Sequence, residues 1–260
     1  HLVVPSFSGS TQTLKYNPPT SQYSLTDTDS NNNYADLVLL REPSSAQELH
    51  SMGVVQPEIR ITADPALLLP PLDSAAAESV LLSAGLQSGG KYVMFALRPW
   101  PGFDKKLSAY NACAGYAYQA HGLTPVFLAL EPNRDLLTAK KVADALECPS
   151  IVLSAPSDGR AIMAMMEAMQ CVIAMRLHAL IFASSVAAPL VAVSYDPKVT
   201  GFMHYIGQKH CVYFEDVTAE NLCALIDGAL TERSEYSVDR LRALAAQNEE
   251  IAQELLEEPI

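Results

Sequence analysis

The chain has 260 residues, of which 49% are hydrophobic, and this is enough to bury the core of one large or two modest domains. Its formal net charge of −12 argues against nonspecific nucleic-acid binding, because a phosphate backbone requires a cationic protein face. The five cysteines are scattered without metal-ligand spacing, and we interpret them as reduced core residues of a cytoplasmic protein. No apolar run reaches the ~18 to 20 residues of a membrane-spanning helix.

Residues 1–72 predict a partial amino-terminal α/β domain. Residues 8–33 are polar with little periodic apolar content, which predicts disorder. Two prolines near residue 70 indicate an interdomain connector. The amino-terminal domain is therefore expected to be incomplete or atypical. Its predicted elements are strands at 1–7, 35–40 and 59–61, and a helix at 46–52.

Residues 73–236 predict a Rossmann-like carboxyl-terminal domain that binds the donor substrate. Strands alternate with helices here, and this rhythm is typical of a mostly parallel sheet with right-handed crossovers. Residues 237–260 predict an acidic helix that packs back across the molecule. The predicted strands are 92–97, 124–130, 150–153, 171–175, 190–194 and 211–214. The predicted helices are 75–84, 105–121, 133–146, 157–169, one from 178, 199–206 and 218–230.

Basic side chains follow four of the predicted strands: Arg41, Arg98, Arg176 and Lys198, with His178 two residues after Arg176. In an open α/β sheet, ligands bind at the carboxyl ends of the strands. Guanidinium groups bind carboxylates or phosphates through two parallel hydrogen bonds, and lysine adds a point charge. The pattern predicts a local site for a small, multiply charged anion.

Arg98 and Arg41 each have a simpler structural interpretation. Arg98 is also compatible with a solvated loop residue or one that stacks on Trp100. Arg41 is also compatible with an ion pair to Glu42 or Glu48 near a helix start.

The same holds for the later candidates. Arg176 and His178 are also compatible with a structural hydrogen-bonding pair, and Lys198 with an exposed helix start. Asp64 is interpreted as a turn or cap residue. The sequence contains no GxGxxG, GxxxxGK[ST], GxSxG or HExxH motif, and the pair of aspartates at 27 and 29 lies in the polar stretch.

Four segments together resemble the polysaccharide pyruvyl transferases. Within that family they resemble the CsaB-like branch, which pyruvylates a secondary cell-wall polymer precursor for anchoring of the surface (S-) layer. The family normally opens with a glycine-rich strand-turn-helix, which this sequence lacks. The segments are 36–41 with Ser44 and Leu49, 61–66, 176–183 and 193–199.

The resemblance implies two Rossmann-like domains of the GT-B type, with phosphoenolpyruvate as donor and a sugar diol as acceptor. It implies that Arg41, Arg176, His178 and Lys198 line the donor site, to which the strand-end pattern adds Arg98. His178 is the candidate acid or base, because an imidazole exchanges protons near neutral pH, and Arg176 assists it. The reaction scheme requires no metal and no cofactor beyond phosphoenolpyruvate as co-substrate.

The acceptor implied by the resemblance is a lipid-linked amino sugar that contains N-acetylmannosamine, at the cytoplasmic face of the membrane. Nucleic acid is not an expected partner, and contact with the membrane would be peripheral. Two other functions stay open. A GT-B nucleotide-sugar glycosyltransferase would bind UDP or a similar nucleotide, and a noncatalytic carbohydrate-binding relative would bind sugar but no phosphorylated donor.

Overall fold

The computed structural model describes residues 2–3, 13–17, 22–26, 37–51, 54, 58–232 and 238–257. The chain divides into two compact units. The amino-terminal unit comprises His1–Leu68 and Asp239–Ile260, and the carboxyl-terminal unit comprises Leu69–Val238. The predicted boundary at 72/73 lies close to this division, and the terminal helix is grouped with the amino-terminal unit.

Strands and helices alternate through most of the described chain, so the fold class is α/β, as the sequence predicts. The strands are β1 (Leu2–Val3), β2 (Thr13–Asn17), β3 (Gln22–Thr26), β4 (Leu37–Leu40), β5 (Glu58–Ile61), β6 (Tyr92–Ala96), β7 (Thr124–Ala129), β8 (Ile151–Ser154), β9 (Cys171–Ala174), β10 (Leu190–Ser194) and β11 (Cys211–Tyr213). The α-helices are α1 (Pro43–Ser51), α2 (Ser74–Ser83), α3 (Leu107–His121), α4 (Pro132–Ala143), α5 (Gly159–Glu167), α6 (Leu177–Ser185), α7 (Pro197–Tyr205), α8 (Ala219–Thr231) and α9 (Asp239–Glu257).

In the amino-terminal unit, β1, β4 and β5 form a parallel sheet in the order β1-β4-β5. The prediction of disorder for 8–33 is wrong at 13–17 and 22–26, which pair as antiparallel strands β2 and β3. Both segments alternate polar and apolar residues, and this period of two is the strand signal that their polar composition hides. The rest of 8–33, including the aspartates at 27 and 29, lies outside the described residues.

The two faces of β4 are buried against different helices. Leu37 and Leu39 cluster with Ile251 of α9. The alternate strand residues Val38 and Leu40 pack around α1. Because successive strand residues point to opposite faces, the apolar run of β4 is covered on both sides.

The carboxyl-terminal unit contains a six-stranded parallel sheet in the order β11-β10-β9-β6-β7-β8. The chain runs from β6 to the β8 edge, returns to β9 beside β6, and continues to β11. This is the doubly wound order, and its topological switch point lies between β6 and β9. Ligands of such sheets bind outside the carboxyl ends of the strands at that point.

Helices cover both faces of this sheet. Helices α3, α4 and α8 form one layer, and α2, α5, α6 and α7 form the other. The central strands are continuously buried, as expected of a sheet covered on both sides. Helix α3 begins later than predicted because residues 103–105 form a 3₁₀ turn after Gly102, whose φ of 84° is in the left-handed region.

Candidate active site

The strand ends that flank the switch point carry the predicted cations of the carboxyl-terminal unit. Arg98 follows β6, and Arg176 and His178 follow β9. Lys198 follows β10, the next strand outward. Parallel pairing directs all three strand ends to one edge of the sheet.

Arg98 and Lys198 meet at a residue that the sequence did not single out, Tyr195. Arg98 Nη1 donates to the Tyr195 hydroxyl at 2.6 Å, and Arg98 Cζ lies 4.6 Å from the centre of the Tyr195 ring. Lys198 Nζ lies 5.5 Å from the same centre. Trp100 completes the cluster, with its ring 4.5 Å from that of Tyr195 and 5.5 Å from Arg98 Cζ. Cation–π attraction therefore holds two positive groups beside one phenol.

The partners of Arg98 leave its charge without a counter-ion in the described part of the chain. Its Nε is buried and has no hydrogen-bond partner there. Its guanidinium contacts are the Tyr195 hydroxyl and two aromatic faces, all of them neutral. A buried donor and an uncompensated charge both cost free energy, so this position favours an anionic ligand.

Lys198 is the second residue of α7, two positions after the helix cap Asp196. The Asp196 side chain caps this helix by accepting from the Lys198 amide at 3.0 Å. Lys198 Nζ also lies 3.3 Å from Asp196 Oδ2 in a partly exposed pair. This pair is solvent-screened and weak, so it constrains the lysine little.

Arg176 is bound to two carboxylates. Its Nε donates to Asp135 Oδ2 at 3.1 Å, and its Nη2 donates to Asp135 Oδ1. Its Nη1 donates to Glu131 Oε1. Arg176 is 7% exposed and Asp135 is fully buried, so this is a two-point ion pair inside the protein. No local sequence pattern predicts this pair, because Asp135 lies in α4, 41 positions before Arg176.

His178 occupies the first turn of α6, two residues after Arg176. Its ring is partly buried and lies 6.2 Å from that of Phe182, one turn along the helix. The anchored Arg176 is the residue directly before α6, so its ion pair fixes the turn that carries His178.

Arg41 belongs to the amino-terminal unit. It follows β4, as predicted, and its Nη1 lies 3.1 Å from Asp64 Oδ2. Asp64 is buried and also accepts a hydrogen bond from the amide of Ala66. It therefore stabilises the turn, as predicted, and also forms an ion pair with Arg41. The alternative pairing of Arg41 with Glu42 or Glu48 is not among the described contacts.

The described residues contain neither a cluster of metal-binding side chains nor a helix suited to span a membrane. His, Cys, Asp and Glu side chains there form no group of three that could bind a metal ion, and the metal-free scheme stays a prediction. In the same residues, no helix combines the length and apolar character that crossing a membrane would require.

Most of the chain matches a known protein family. Residues 11–197, well over half of the chain, match the polysaccharide pyruvyl transferase family. The chain belongs to that family. Arg41, Arg98, Arg176 and His178 lie inside the matched range, and Lys198 lies one residue beyond it. No curated protein sequence matches the chain.

Solved structures with this fold are distant in sequence from this pyruvyl transferase family member. A glycosyltransferase from Rickettsia africae ESF-5 is 13% identical (TM-score 0.56, 86% of this chain, 64% of that chain). The UDP-GlcNAc 2-epimerase from Methanocaldococcus jannaschii is 9% identical, with a TM-score of 0.59 over 85% of this chain and 63% of that chain. Anabaena Alr3699/HepE in complex with UDP-glucose is 15% identical, with a TM-score of 0.56 over 86% of this chain and 64% of that chain. The chain therefore has a GT-B type fold and spans less than two thirds of the length of these proteins.

Proposed function

We propose that the carboxyl-terminal unit binds phosphoenolpyruvate at the switch point and transfers its enolpyruvyl group to a sugar diol of a cell-wall polysaccharide precursor. The observation that supports this most is Arg98, a cation at the switch point that lacks a counter-ion among the described residues. In a pyruvyl transferase, the missing negative charge is that of the donor substrate.

Lys198 supplies the second positive charge of the proposed donor site. Phosphoenolpyruvate carries a carboxylate and a phosphate on the same carbon skeleton, and two cations held around Tyr195 suit two anionic groups. Tyr195 keeps the cations close while its ring, being neutral, leaves their charges available to the ligand.

Arg176 has a different role in this proposal from the one that the resemblance implied. Asp135 and Glu131 already neutralise it, so we assign it to positioning His178 rather than to binding phosphate.

The proposed reaction begins with protonation of the donor's methylene carbon by His178, which leaves cationic character on the adjacent carbon. One sugar hydroxyl adds to that carbon and releases its proton. The carbon–oxygen bond to phosphate then breaks, and Arg98 and Lys198 stabilise the departing phosphate. The second hydroxyl closes the ring and releases a second proton. One of the two released protons restores His178 and the other goes to the departing phosphate, so the products are a pyruvate ketal and inorganic phosphate.

The finer assignment of the acceptor follows from the CsaB-like resemblance alone. We propose a lipid-linked precursor containing N-acetylmannosamine, modified at the cytoplasmic face of the membrane during synthesis of the polymer that anchors the S-layer. A radiolabel from phosphoenolpyruvate should then appear in this lipid-linked product, and its absence would remove this acceptor.

The second candidate function is a nucleotide-sugar glycosyltransferase. It is favoured by the fold, which is shared with Anabaena Alr3699/HepE, a protein whose structure contains UDP-glucose. In that case Arg98 and Lys198 would bind a diphosphate. The two candidates differ in which ligand the protein binds.

Calorimetric titration with phosphoenolpyruvate, and in parallel with UDP, distinguishes them. We expect phosphoenolpyruvate to bind, Arg98→Met to weaken it at least about tenfold, as for loss of hydrogen bonds to a charged group, and Lys198→Met to weaken it less. His178→Ala should bind the donor but lose turnover. Lys140→Met, which removes an exposed lysine of α4, is the charge-matched control.

Each other outcome contradicts the proposal in a defined way. Binding of UDP alone would indicate the glycosyltransferase. Binding of neither ligand, with sugar still bound, would indicate a noncatalytic carbohydrate-binding protein. Near-normal turnover by His178→Ala would rule out His178 as the group that protonates the donor.

A further inference from the structure

Helices α3 and α8 pack side by side on one face of the six-stranded sheet and run in the same direction. At the start of α3, Lys106 Nζ donates to the carbonyl oxygen of Val217, just before α8, at 3.0 Å. Near the other end, the Tyr116 hydroxyl donates to Asp227 Oδ2 at 2.8 Å. Both contacts join residues 111 positions apart, so the two helices keep a constant register.

This register brings two cysteines together. Cys113 precedes Tyr116 by three positions and Cys223 precedes Asp227 by four, so each cysteine lies one turn before its neighbour on the same face of its helix. Cys113 is fully buried, and the partly exposed Cys223 packs against the same apolar cluster. The Cys113 thiol donates a hydrogen bond to the Cys223 sulfur. The two thiols therefore form a pair of which solvent reaches one member.

Cys223 is the one cysteine of the chain whose thiol ionises more readily than usual. The hydrogen bond from Cys113 lowers the pKa of Cys223, although burial and the negative charges of Asp227 and Glu220 oppose this. The same hydrogen bond, together with burial, holds the pKa of Cys113 well above its usual range. Burial raises the pKa of the three other thiols, those of Cys148, Cys171 and Cys211.

The carboxylate beside this pair is occupied by two other side chains. The Tyr116 hydroxyl donates to both oxygens of Asp227, at 2.8 and 3.0 Å. His121 Nε2 lies 2.7 Å from Asp227 Oδ1. A carboxylate that is hydrogen-bonded in this way shares its negative charge with its partners, so Asp227 repels a thiolate at Cys223 less than a free carboxylate would.

We propose that Cys223 is a site of reversible oxidation by peroxide, and that Cys113 is the thiol that resolves it by forming a disulfide. A reactive, solvent-reached thiolate next to a second, protonated thiol is the arrangement that this chemistry requires. The proposal goes beyond the transferase reaction and does not depend on it.

The oxidation proceeds in two steps. The Cys223 thiolate attacks one oxygen of hydrogen peroxide, the O–O bond breaks, hydroxide leaves, and Cys223 becomes a sulfenic acid. That hydroxide takes the proton of Cys113, whose thiolate attacks the Cys223 sulfur and displaces a second hydroxide. The proton that Cys223 first gave up converts this hydroxide to water. In total, two thiols are oxidised to one disulfide and one peroxide is reduced to two waters.

The disulfide protects Cys223. A sulfenic acid that no thiol captures is oxidised further to sulfinic and sulfonic acids, which the cell cannot in general reduce. The covalent bond also ties α3 to α8, so the oxidised protein should unfold at a higher urea concentration than the reduced one.

The first measurement is the relative reactivity of the thiols in the reduced, folded protein. Limiting iodoacetamide at neutral pH, followed by mass spectrometry of the digested protein, gives a labelling rate for each cysteine. Cys223 should react about threefold or more faster than Cys148, which is also partly exposed. A lower pKa raises the thiolate fraction tenfold per unit, but it also makes each thiolate a weaker nucleophile.

The second measurement is oxidation by hydrogen peroxide in small excess, with the fold monitored by circular dichroism. The parent chain should lose two hydrogens in mass, its digest should contain the Cys113 and Cys223 peptides joined, and dithiothreitol should reverse both changes. Cys148→Ser, the matched control, should form the same disulfide to the same extent.

Variants of the pair separate the two roles. Cys113→Ser should form no disulfide, and its Cys223 should be trapped by dimedone as the sulfenic acid and then gain two or three oxygens. Cys223→Ser should leave Cys113 unmodified by the same treatment. Because Cys223 is partly exposed, this second variant keeps the test decisive if Cys113→Ser fails to fold.

Four results would overturn the proposal. They are labelling of Cys223 no faster than that of Cys148, a folded parent chain without the disulfide after peroxide, a disulfide that joins other cysteines or two copies of the chain, and oxidation of Cys113 in Cys223→Ser at the parental rate. None of these measurements uses phosphoenolpyruvate or turnover, so failure of the transferase proposal would leave this one intact.

Discussion

At the scale of single residues, three cations that look alike in the sequence differ in what neutralises them. Arg176 has a buried carboxylate, Lys198 has a partly exposed one, and Arg98 has neutral contacts in the described chain. Since the free energy of a charge depends on its partner and its solvent, the three have different tasks. Arg98 is the one whose surroundings call for an anion.

Replacing Arg176 with Ala should destabilise the protein by about 3–5 kcal/mol, because it leaves Asp135 buried without its counter-ion. Urea unfolding followed by circular dichroism measures this loss. The double variant Arg176→Met, Asp135→Leu should recover most of it, since an apolar pair can replace a buried ion pair. As a control, Arg134→Ala breaks only an exposed pair with Glu131 and should cost less than about 1 kcal/mol. An equally small loss in Arg176→Ala would contradict the prediction.

At the scale of elements, four of the described helices of the carboxyl-terminal unit begin at a residue whose side chain caps the helix. Asp73, Asp158 and Asp196 cap α2, α5 and α7. Helix α8 begins with a complete capping box between Thr218 and Asn221. A cap satisfies amide donors that the helix itself leaves free, so it fixes where the helix starts and which face reaches the core.

Thr218→Ala should destabilise the start of α8 by about 1 kcal/mol, because the Asn221 amide loses the acceptor that it now has at 3.2 Å. Hydrogen exchange of the first-turn amides should accelerate accordingly. Thr200→Ala is the matched control, since the Thr200 hydroxyl donates only to the Pro197 carbonyl within α7. Equal exchange rates in the parent and Thr218→Ala would show that the cap contributes nothing.

At the scale of the whole molecule, stability at alkaline pH depends on cysteine thiols that the fold keeps in their neutral form. Burial raises the pKa of the Cys171 thiol to about 12 and that of Cys211 to about 11. The unfolded chain ionises such thiols near pH 8.5, so above that pH the folded protein binds more protons than the unfolded chain. The contribution is complete below about pH 8.5 and is lost as the pH rises towards 12.

The free energy of unfolding should therefore fall from about pH 8.5 upward, by at most ~1.4 kcal/mol per pH unit for each buried thiol. Urea denaturation between neutral pH and pH 10.5 measures the slope. Cys171→Ala should flatten it by the share of one thiol. A slope that is unchanged in Cys171→Ala would mean that other groups cause the loss.

Three features could be predicted from the sequence: the alternation of strands and helices, the burial of the central strands, and the positions of the cations at strand ends. Each of these is a local property, because periodicity and composition act over a few residues. The four segments that resemble the pyruvyl transferases could be recognised for the same reason. Residues 13–17 and 22–26 were missed although their signal is also local, since a polar composition hid their alternation.

The tertiary structure alone decided which strand ends are neighbours and what each cation binds. The sequence places Arg98, Arg176 and Lys198 after three separate strands, but only the return of β9 to the side of β6 creates the switch point between the first two. Asp135 is 41 positions from Arg176, and Tyr195 is 97 positions from Arg98. Such contacts depend on packing between distant elements, and no local pattern encodes them. The sequence thus determined which groups could carry the chemistry, and the fold determined which of them have no counter-charge among the described residues.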